Sequence, residues 1–305
     1  MAKKRQIRNI ACVGEAMIEF IAEEGGEARL GVAGDTFNTA VYMARALGDE
    51  DISVSYVTAL GCDPYSNRIL QAIRGYRLGS DYIERREGIM PGLYAIDTDA
   101  DGERSFSYWR SASAARTLFA SPCDVGLERL DDFDLVFLSG ITMAILQPSV
   151  RSEIMAWADH FRAAGGTLAY DSNHRPNLWD SAEIAREINA AMWASSDIAL
   201  PSIDDEMSLF GDLDEAAVLA RLAAVGANNG VLKRGAKGPR NLRNGAVLSD
   251  LPPVRRVVDS TGAGDSFNAG YLSAIALGHS EISAMRDGHR LASKVIQAHG
   301  AIIEG

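Results

Sequence analysis

Between Asp259 and Gly270 the chain reads Asp-Ser-Thr-Gly-Ala-Gly-Asp-Ser-Phe-Asn-Ala-Gly, and no other stretch restricts the fold as tightly. The apolar pair Val257-Val258 precedes it, and a helical apolar pattern through Tyr271, Leu272 and Ile275 follows. Gly262, Ala263 and Gly264 therefore sit where the chain enters a helix. The first amides of a helix have no partner within it, and with the helix dipole they form an anion site. Asp265 falls in the first turn beside them. Amides that hold a phosphate and a carboxylate that takes a proton from an attacking hydroxyl suit phosphoryl transfer. The letters Gly-Ala-Gly-Asp alone also fit an ordinary helix start with an Asp cap, so the rest of the chain has to decide.

Strand and helix patterns alternate from one end to the other. Ile10–Val13, Ile52–Leu60, Tyr82–Ile83, Phe133–Ser139, Thr167–Tyr170, Asp197–Leu200 and Gly230–Lys233 read as strands. Helical stripes cover Ala40–Leu47, Asn67–Arg74, Val150–Ala164, Ala185–Ala194, Leu213–Val225 and Ser283–His299. This alternation predicts one α/β domain over 1–305 with a central, mostly parallel sheet. Two stretches, about 15–33 and 90–112, carry strand patterns only. We expect them to join into a small sheet that forms a lid. A Gly25-Gly26 turn lies in the first, and Asp101-Gly102 marks a hairpin in the second. A turn through Pro252-Pro253 leads back to the Asp259 run.

Several small or polar clusters fall where strands end and helices begin, the usual ligand side of such sheets. Ala33-Gly34-Asp35 precedes a helix for which Asp35 or Thr36 serves as cap, with Asn38 one turn on. Asp171, Asn173 and Arg175 follow one strand, and Ser202, Asp205 and Glu206 follow another. Tyr94, Tyr108, Trp109 and Arg110 gather on the hairpin; an aromatic body with a polar tip suits a sugar face, and Arg forks onto a carboxylate or phosphate. Lys233, Arg234 and Lys237 flank Gly235 and Gly238 in a turn. Each cluster also has an ordinary reading as a cap, a sheet pair or a solvated turn.

Composition narrows the classes. The 305 residues hold 30 Lys plus Arg against 41 Asp plus Glu, a formal charge of -11. A nucleic-acid or membrane-surface binder would carry a basic face. The 3 cysteines lie far apart, which fits free thiols in a reducing compartment. The histidines show no metal-ligand spacing, and the basic start lacks the apolar run of a secretion signal. We expect a cytoplasmic protein. A dinucleotide-dependent dehydrogenase is excluded because Val13-Gly14-Glu15 is not the glycine-rich turn that such a site needs after its first strand.

The run from Asp259 to Gly270 resembles the signature of the ribokinase-like (PfkB) sugar kinases, whose fold is a three-layer α/β/α sandwich with a β-sheet lid. The resemblance extends over nearly the whole chain. It implies that Asp265 is the catalytic base and that the amides of Gly262, Ala263 and Gly264 hold developing charge. The Gly31–Ala40 run looks like the family's first motif, with Ala33-Gly34 where many members have Gly-Gly, and implies sugar contacts from Gly34, Asp35 and Asn38. Gly-Leu-Tyr…Gly-Glu-Arg…Tyr-Trp-Arg is similar to the members that phosphorylate 2-keto-3-deoxygluconate, and places Tyr94, Tyr108 and Arg110 around an acid sugar. The Asp171–Trp179 run implies that Arg175 meets the substrate carboxylate or a phosphoryl oxygen, with Asn173 on the nucleotide side. His174 reads as structural.

For ATP, the family's Gly-x-x-Gly loop matches Gly235 and Gly238, beside Lys233, and residues near His299 brush the adenine. Where many relatives carry Asn-x-x-Glu to arrange magnesium, this chain has Ser202 and Asp205, with Glu206 next door, which leaves the metal position open. The resemblance thus implies transfer of the ATP γ-phosphate to a C6 hydroxyl, with Mg²⁺ accompanying ATP and a monovalent cation such as K⁺ admitted by the family. A neutral ketose such as fructose is the alternative substrate. Arg110 and Arg175 together favour an acid, because two cations facing a neutral sugar would be poorly compensated. A non-catalytic sugar sensor is the alternative of another class, disfavoured by the intact Gly-Ala-Gly-Asp. A thin lid sheet with an apolar face also predicts a homo-oligomer formed through the lid.

Overall fold

The computed structural model describes residues 3–22, 27–98, 104–251 and 254–304. The expected turns at Gly25-Gly26, Asp101-Gly102 and Pro252-Pro253 lie outside the described residues. The first elements are β1 (Asn9–Val13), β2 (Met17–Ala22), β3 (Ala28–Ala33), α1 (Asp35–Leu47), β4 (Ser53–Gly61), α2 (Pro64–Gly75), β5 (Ile83–Arg86), β6 (Leu93–Thr98) and β7 (Arg104–Trp109). Then come β8 (Leu135–Ser139), α3 (Gly140–Ile145), α4 (Pro148–Ala163), β9 (Thr167–Asp171), α5 (Ala182–Ser195), β10 (Ile198–Ala199) and α6 (Ile203–Phe210). The chain closes with α7 (Glu215–Ala224), β11 (Val231–Leu232), β12 (Arg240–Asn241), α8 (Ala263–Ala276) and α9 (Glu281–Val295).

The central sheet has 6 strands in the order β10-β9-β8-β1-β4-β5. Every pairing in it is parallel. Successive side chains of a strand point to opposite faces, and β1 shows the consequence. Ala11 and Val13 enter one core with Val57, Val136, Leu168 and residues of α4, α5 and α7. Ile10 and Cys12 enter the other with Tyr56, Phe137 and residues of α1, α2, α8 and α9. Helices therefore cover both faces, giving three layers, and the strands read as nearly unbroken apolar runs because both their faces are buried.

A second sheet of 4 strands, β3-β2-β6-β7, stands apart from the first. The stretches near 15–33 and 90–112 each supply two of its strands. Its pairing is antiparallel except where β2 meets β6 in parallel. A separate small pair, β11-β12, is antiparallel.

Helix ends depart from expectation where caps decide them. Asp63 accepts hydrogen bonds from the amides of Tyr65 and Ser66, so α2 opens at Pro64 rather than Asn67. The short α3 was not anticipated; Ser139 caps it through the Thr142 amide. The α1 cap is Gly34, not Asp35 or Thr36; it has no capping side chain, and its own amide donates to Asn38 Oδ1 at 3.4 Å. Gly34 is extended, so its conformation does not demand glycine. Crowding does: a Cβ there would lie 2.1 Å from the Glu15 carbonyl oxygen. The last helix, α9, runs Glu281–Val295, shorter at its C-terminus than the expected Ser283–His299. Among the described residues no helix is long and apolar enough to cross a membrane.

Candidate active site

The heads of α1 and α8 meet at the carboxyl ends of the central strands. Gly262, at φ 76°, ends the turn before α8, and a Cβ there would lie 2.8 Å from the Ala301 carbonyl oxygen. A left-handed residue in a close approach is a position for glycine. Asp259 fixes the turn: its carboxylate accepts from the Thr261 amide at 3.0 Å and the Gly300 amide at 2.7 Å. The Ala263 amide donates to the Ser260 carbonyl at 3.2 Å, which removes it from the expected set of three anion donors. Among the described residues the amides of Gly262 and Gly264 have no hydrogen-bond partner.

Asp265 stands beside those amides. Its Oδ2 accepts from Asn38 Nδ2 at 2.8 Å, and its backbone carbonyl accepts from the Thr39 hydroxyl at 3.2 Å. Burial, then the negative charge of Asp35, lift its pKa to about 7; Asp171 adds to the rise, while Asn38 and Lys233 oppose it. Asp35, at the first position of α1, accepts from Asn173 Nδ2 at 3.1 Å. Asn173, expected on the nucleotide side, is thus tied to a residue expected on the sugar side.

These residues line a cleft of about 650 Å³. Gly34, Asp35, Asn38, Tyr94, Tyr108, Arg110, Asn173, Arg175 and the 260–265 turn all border it. The 4-stranded sheet supplies Met17, Tyr94, Phe106 and Tyr108, so it covers the cleft from one side. Tyr94 and Tyr108 are directly opposed across β6 and β7 and stack at 5.7 Å, whereas Trp109 faces the other way and is 61% exposed.

Two expected sugar contacts arrive already engaged. The Tyr94 hydroxyl donates to Glu19 at 2.6 Å. Arg110 is buried and ion-paired with the buried Glu15. The expectation of two uncompensated cations facing the sugar is therefore corrected: Arg110 brings its own counter-charge. Arg175 remains exposed, donating to the His174 carbonyl at 2.9 Å and lying 3.9 Å from Asp205. Neither Glu15 nor Glu19 was picked out from the sequence. Their signal was the spacing Glu15, Met17, Glu19, Ile21, which puts one acid inside β2 and one just before it in step with the same face.

On the other side of Asp265, Lys233 Nζ donates to Asp171 Oδ2 at 2.5 Å and Asn268 Oδ1 at 3.1 Å, while Asn268 Nδ2 donates to Asp171 at 2.6 Å. Asn268, one turn after Asp265, was also missed. Lys233 lies against the head of α8: a Cβ at Gly264 would be 3.7 Å from Nζ. Asp205 accepts from the His174 amide at 3.2 Å, and burial and the Asp171 charge raise its pKa. Glu206 points elsewhere, buried and paired with Arg221 at 2.9 Å. Among the described residues no three acidic, His or Cys side chains form a metal-binding group. Burial and nearby Arg175 lower the His174 pKa. Ser202, Gly235, Gly238 and the exposed His299 do not border the cleft.

A parallel α/β sandwich with a buried carboxylate at a helix head and a small sheet over the cleft is the architecture of the ribokinase-like kinases. The chain belongs to the pfkB family of carbohydrate kinases, whose model matches residues 7–304. It is 42% identical to the 2-dehydro-3-deoxygluconokinase of Dickeya dadantii (strain 3937) and 41% identical to that of Escherichia coli (strain K12), each over 301 residues and 97% of both chains. It is 27% identical to probable fructokinase-7 of Arabidopsis thaliana over 306 residues, 96% of this chain and 86% of that one. Among solved structures it is similar to a PfkB protein from Polaromonas sp. JS666, with TM-score 0.82, 24% identity and 96% of each chain covered. A fructokinase double mutant from Vibrio cholerae O395, bound to fructose, ADP and potassium ion, gives TM-score 0.81 at 20% identity, covering 99% of this chain and 95% of that one.

Proposed function

We propose that this carbohydrate kinase transfers the γ-phosphate of ATP to the C6 hydroxyl of 2-keto-3-deoxygluconate. The supporting observation is its 41–42% identity, over 97% of its length, to kinases named for that sugar, against 27% to a fructokinase. Asp265 takes the hydroxyl proton, the sugar oxygen bonds to the γ-phosphorus, and the bond to ADP breaks. The free amides of Gly262 and Gly264 hold the charge that builds on the phosphoryl oxygens. Gly34, Asp35, Asn38 and Tyr108 meet the sugar hydroxyls. Arg175 meets the sugar carboxylate, beside Tyr94 and Arg110.

Lys233 faces the ATP phosphates, with Asn173, Ser202, Gly235 and Gly238 along the nucleotide. Magnesium bound with ATP would supply charge that neutralises the phosphates. Asp205, whose neighbour Asp171 is already paired with Lys233, is the residue that would hold the cation. A monovalent cation such as K⁺, which the Vibrio cholerae fructokinase structure holds, would also be accepted. The whole chain acts as one catalytic domain, with the 4-stranded sheet as its lid. That sheet's outer face exposes Trp109 at 61% and Phe20 at 36%, and we place a homo-oligomer contact there. We place the enzyme in the cytoplasm, where ATP is supplied.

The test is ADP release from purified protein, ATP and Mg²⁺ with 2-keto-3-deoxygluconate, its galactonate epimer and fructose in competition. Preference for fructose would overturn the substrate assignment, and sugar binding with no ADP release for any acceptor in the panel would overturn the kinase reading in favour of a sugar sensor. A monomer in sedimentation at working concentration would remove the lid contact.

A further inference from the structure

Glu15 is 1% exposed, follows β1, and sits beneath the sugar side of the cleft. A carboxylate buried there costs free energy unless a cation and hydrogen bonds compensate it. Its compensation is Arg110, 9% exposed, whose Nη2 it pairs with. Burial raises the Glu15 pKa, and Arg110 is the foremost influence pulling it back.

The surroundings of Glu15 are built to hold it. A Cβ on Gly92 would lie 2.7 Å from its Oε1, and one on Gly34 would lie 2.1 Å from its carbonyl oxygen. Gly34 and Arg110 both border the cleft, and Met17, two residues on, does as well. Glu15 therefore touches the main sheet's end, the head of α1 and the hairpin at once. Its partner has donors to spare: Arg110 Nε and Nη2 are buried without a hydrogen bond among the described residues, Nη2 being held by Glu15 through the ion pair alone. A pair serving packing alone is commonly replaced by apolar side chains at no loss. Here Arg110 borders the cleft with its Nε unpartnered, and Glu15 stands behind it.

We infer that Glu15 is a positioning residue of the sugar subsite, which clamps one edge of the Arg110 guanidinium so that its free edge meets the acceptor sugar. Clamping also neutralises Arg110, so that it recognises oxygen geometry rather than net charge. The inference rests on the kinase reading above but not on which sugar is accepted.

Steady-state kinetics of Glu15→Gln, Glu15→Asp, Arg110→Met and the double variant Glu15→Gln/Arg110→Met, at saturating ATP and with the sugar that the wild type accepts, provide the test. The Glu15→Gln variant should raise the sugar KM by about tenfold or more, with kcat and the ATP KM within about threefold, and Glu15→Asp should recover part of the loss. The double variant should be no worse in sugar KM than Arg110→Met alone and should melt higher than either single variant, because each single variant leaves a lone buried charge and the double variant leaves none. An unchanged sugar KM in Glu15→Gln, or a multiplicative loss in the double variant, overturns the inference. Should Glu15→Gln not fold, the comparison of the double variant with Arg110→Met decides alone. A wild type that uses fructose instead would unseat the substrate assignment while leaving this test in force.

Discussion

Asn38 Nδ2 and Asp265 Oδ2 stand 2.8 Å apart, although 227 residues separate them in the chain. This hydrogen bond joins the head of α1 to the head of α8. It also favours the charged carboxylate against the burial and the Asp35 charge that push its pKa to about 7. A base is most effective when its pKa lies near the working pH.

Asp265→Asn should lower kcat by about 10²–10⁴ while the sugar still binds, since a positioned base contributes on that scale. The same variant should gain thermal stability at pH 8 and not at pH 4. The carboxyl holds its proton up to about pH 7 when folded, but only to the ordinary 3.8 when unfolded. Between these values the folded state binds more protons, so stability falls as pH rises through the window. Melting curves of both proteins at the two pH values, with single-turnover kinetics and sugar binding, check both halves. Turnover within about threefold of wild type would remove Asp265 from the mechanism.

The kcat of the wild type should fall as pH drops below about 7, as Asp265 becomes protonated. Asn38→Ala removes a hydrogen bond to the charged form, worth about 1.5–3 kcal/mol. The acid limb should therefore move to higher pH by about one unit or more. A kcat–pH profile of the variant that matches wild type would show that Asn38 does not tune the base.

Lys233→Met should raise the ATP KM and lower kcat/KM by about 10²–10³, the scale for losing one charged donor at a phosphoryl site. Because Lys233 also opposes the rise of the Asp265 pKa, the acid limb should shift upward as well. Sugar binding by calorimetry should change little. A variant whose ATP KM stays within about twofold of wild type would reduce Lys233 to a structural partner of Asp171 and Asn268.

Gly34→Ala should lower Tm by about 5 °C or more, because its Cβ would meet the Glu15 carbonyl at 2.1 Å and backbone cannot yield cheaply there. At Gly48, with no atom within 4 Å of a built Cβ but φ 56° and ψ -117°, substitution by Ala should cost only the conformational strain, about 1–3 kcal/mol. Differential scanning calorimetry separates the two, and equal losses would refute crowding as the reason for Gly34.

The alternation of apolar runs and helical stripes determined the layered α/β order of this chain, because burial on both faces of a strand leaves a local mark. The run from Gly262 to Asp265 likewise announced a helix head with a carboxylate, since glycine and small residues have local conformational causes. What the residues touch was decided only in three dimensions. Nothing near Arg110 in the sequence says that Glu15, in the link between β1 and β2, would take up its charge. Nothing near Ala263 says that its amide would be spent on Ser260. Nor does either end of the chain reveal that Lys233, Asp171 and Asn268 close on one another beside Asp265. Charges and donors act across space through the partners that folding brings within a few ångströms, and those partners come from strands and helices that the sequence keeps far apart.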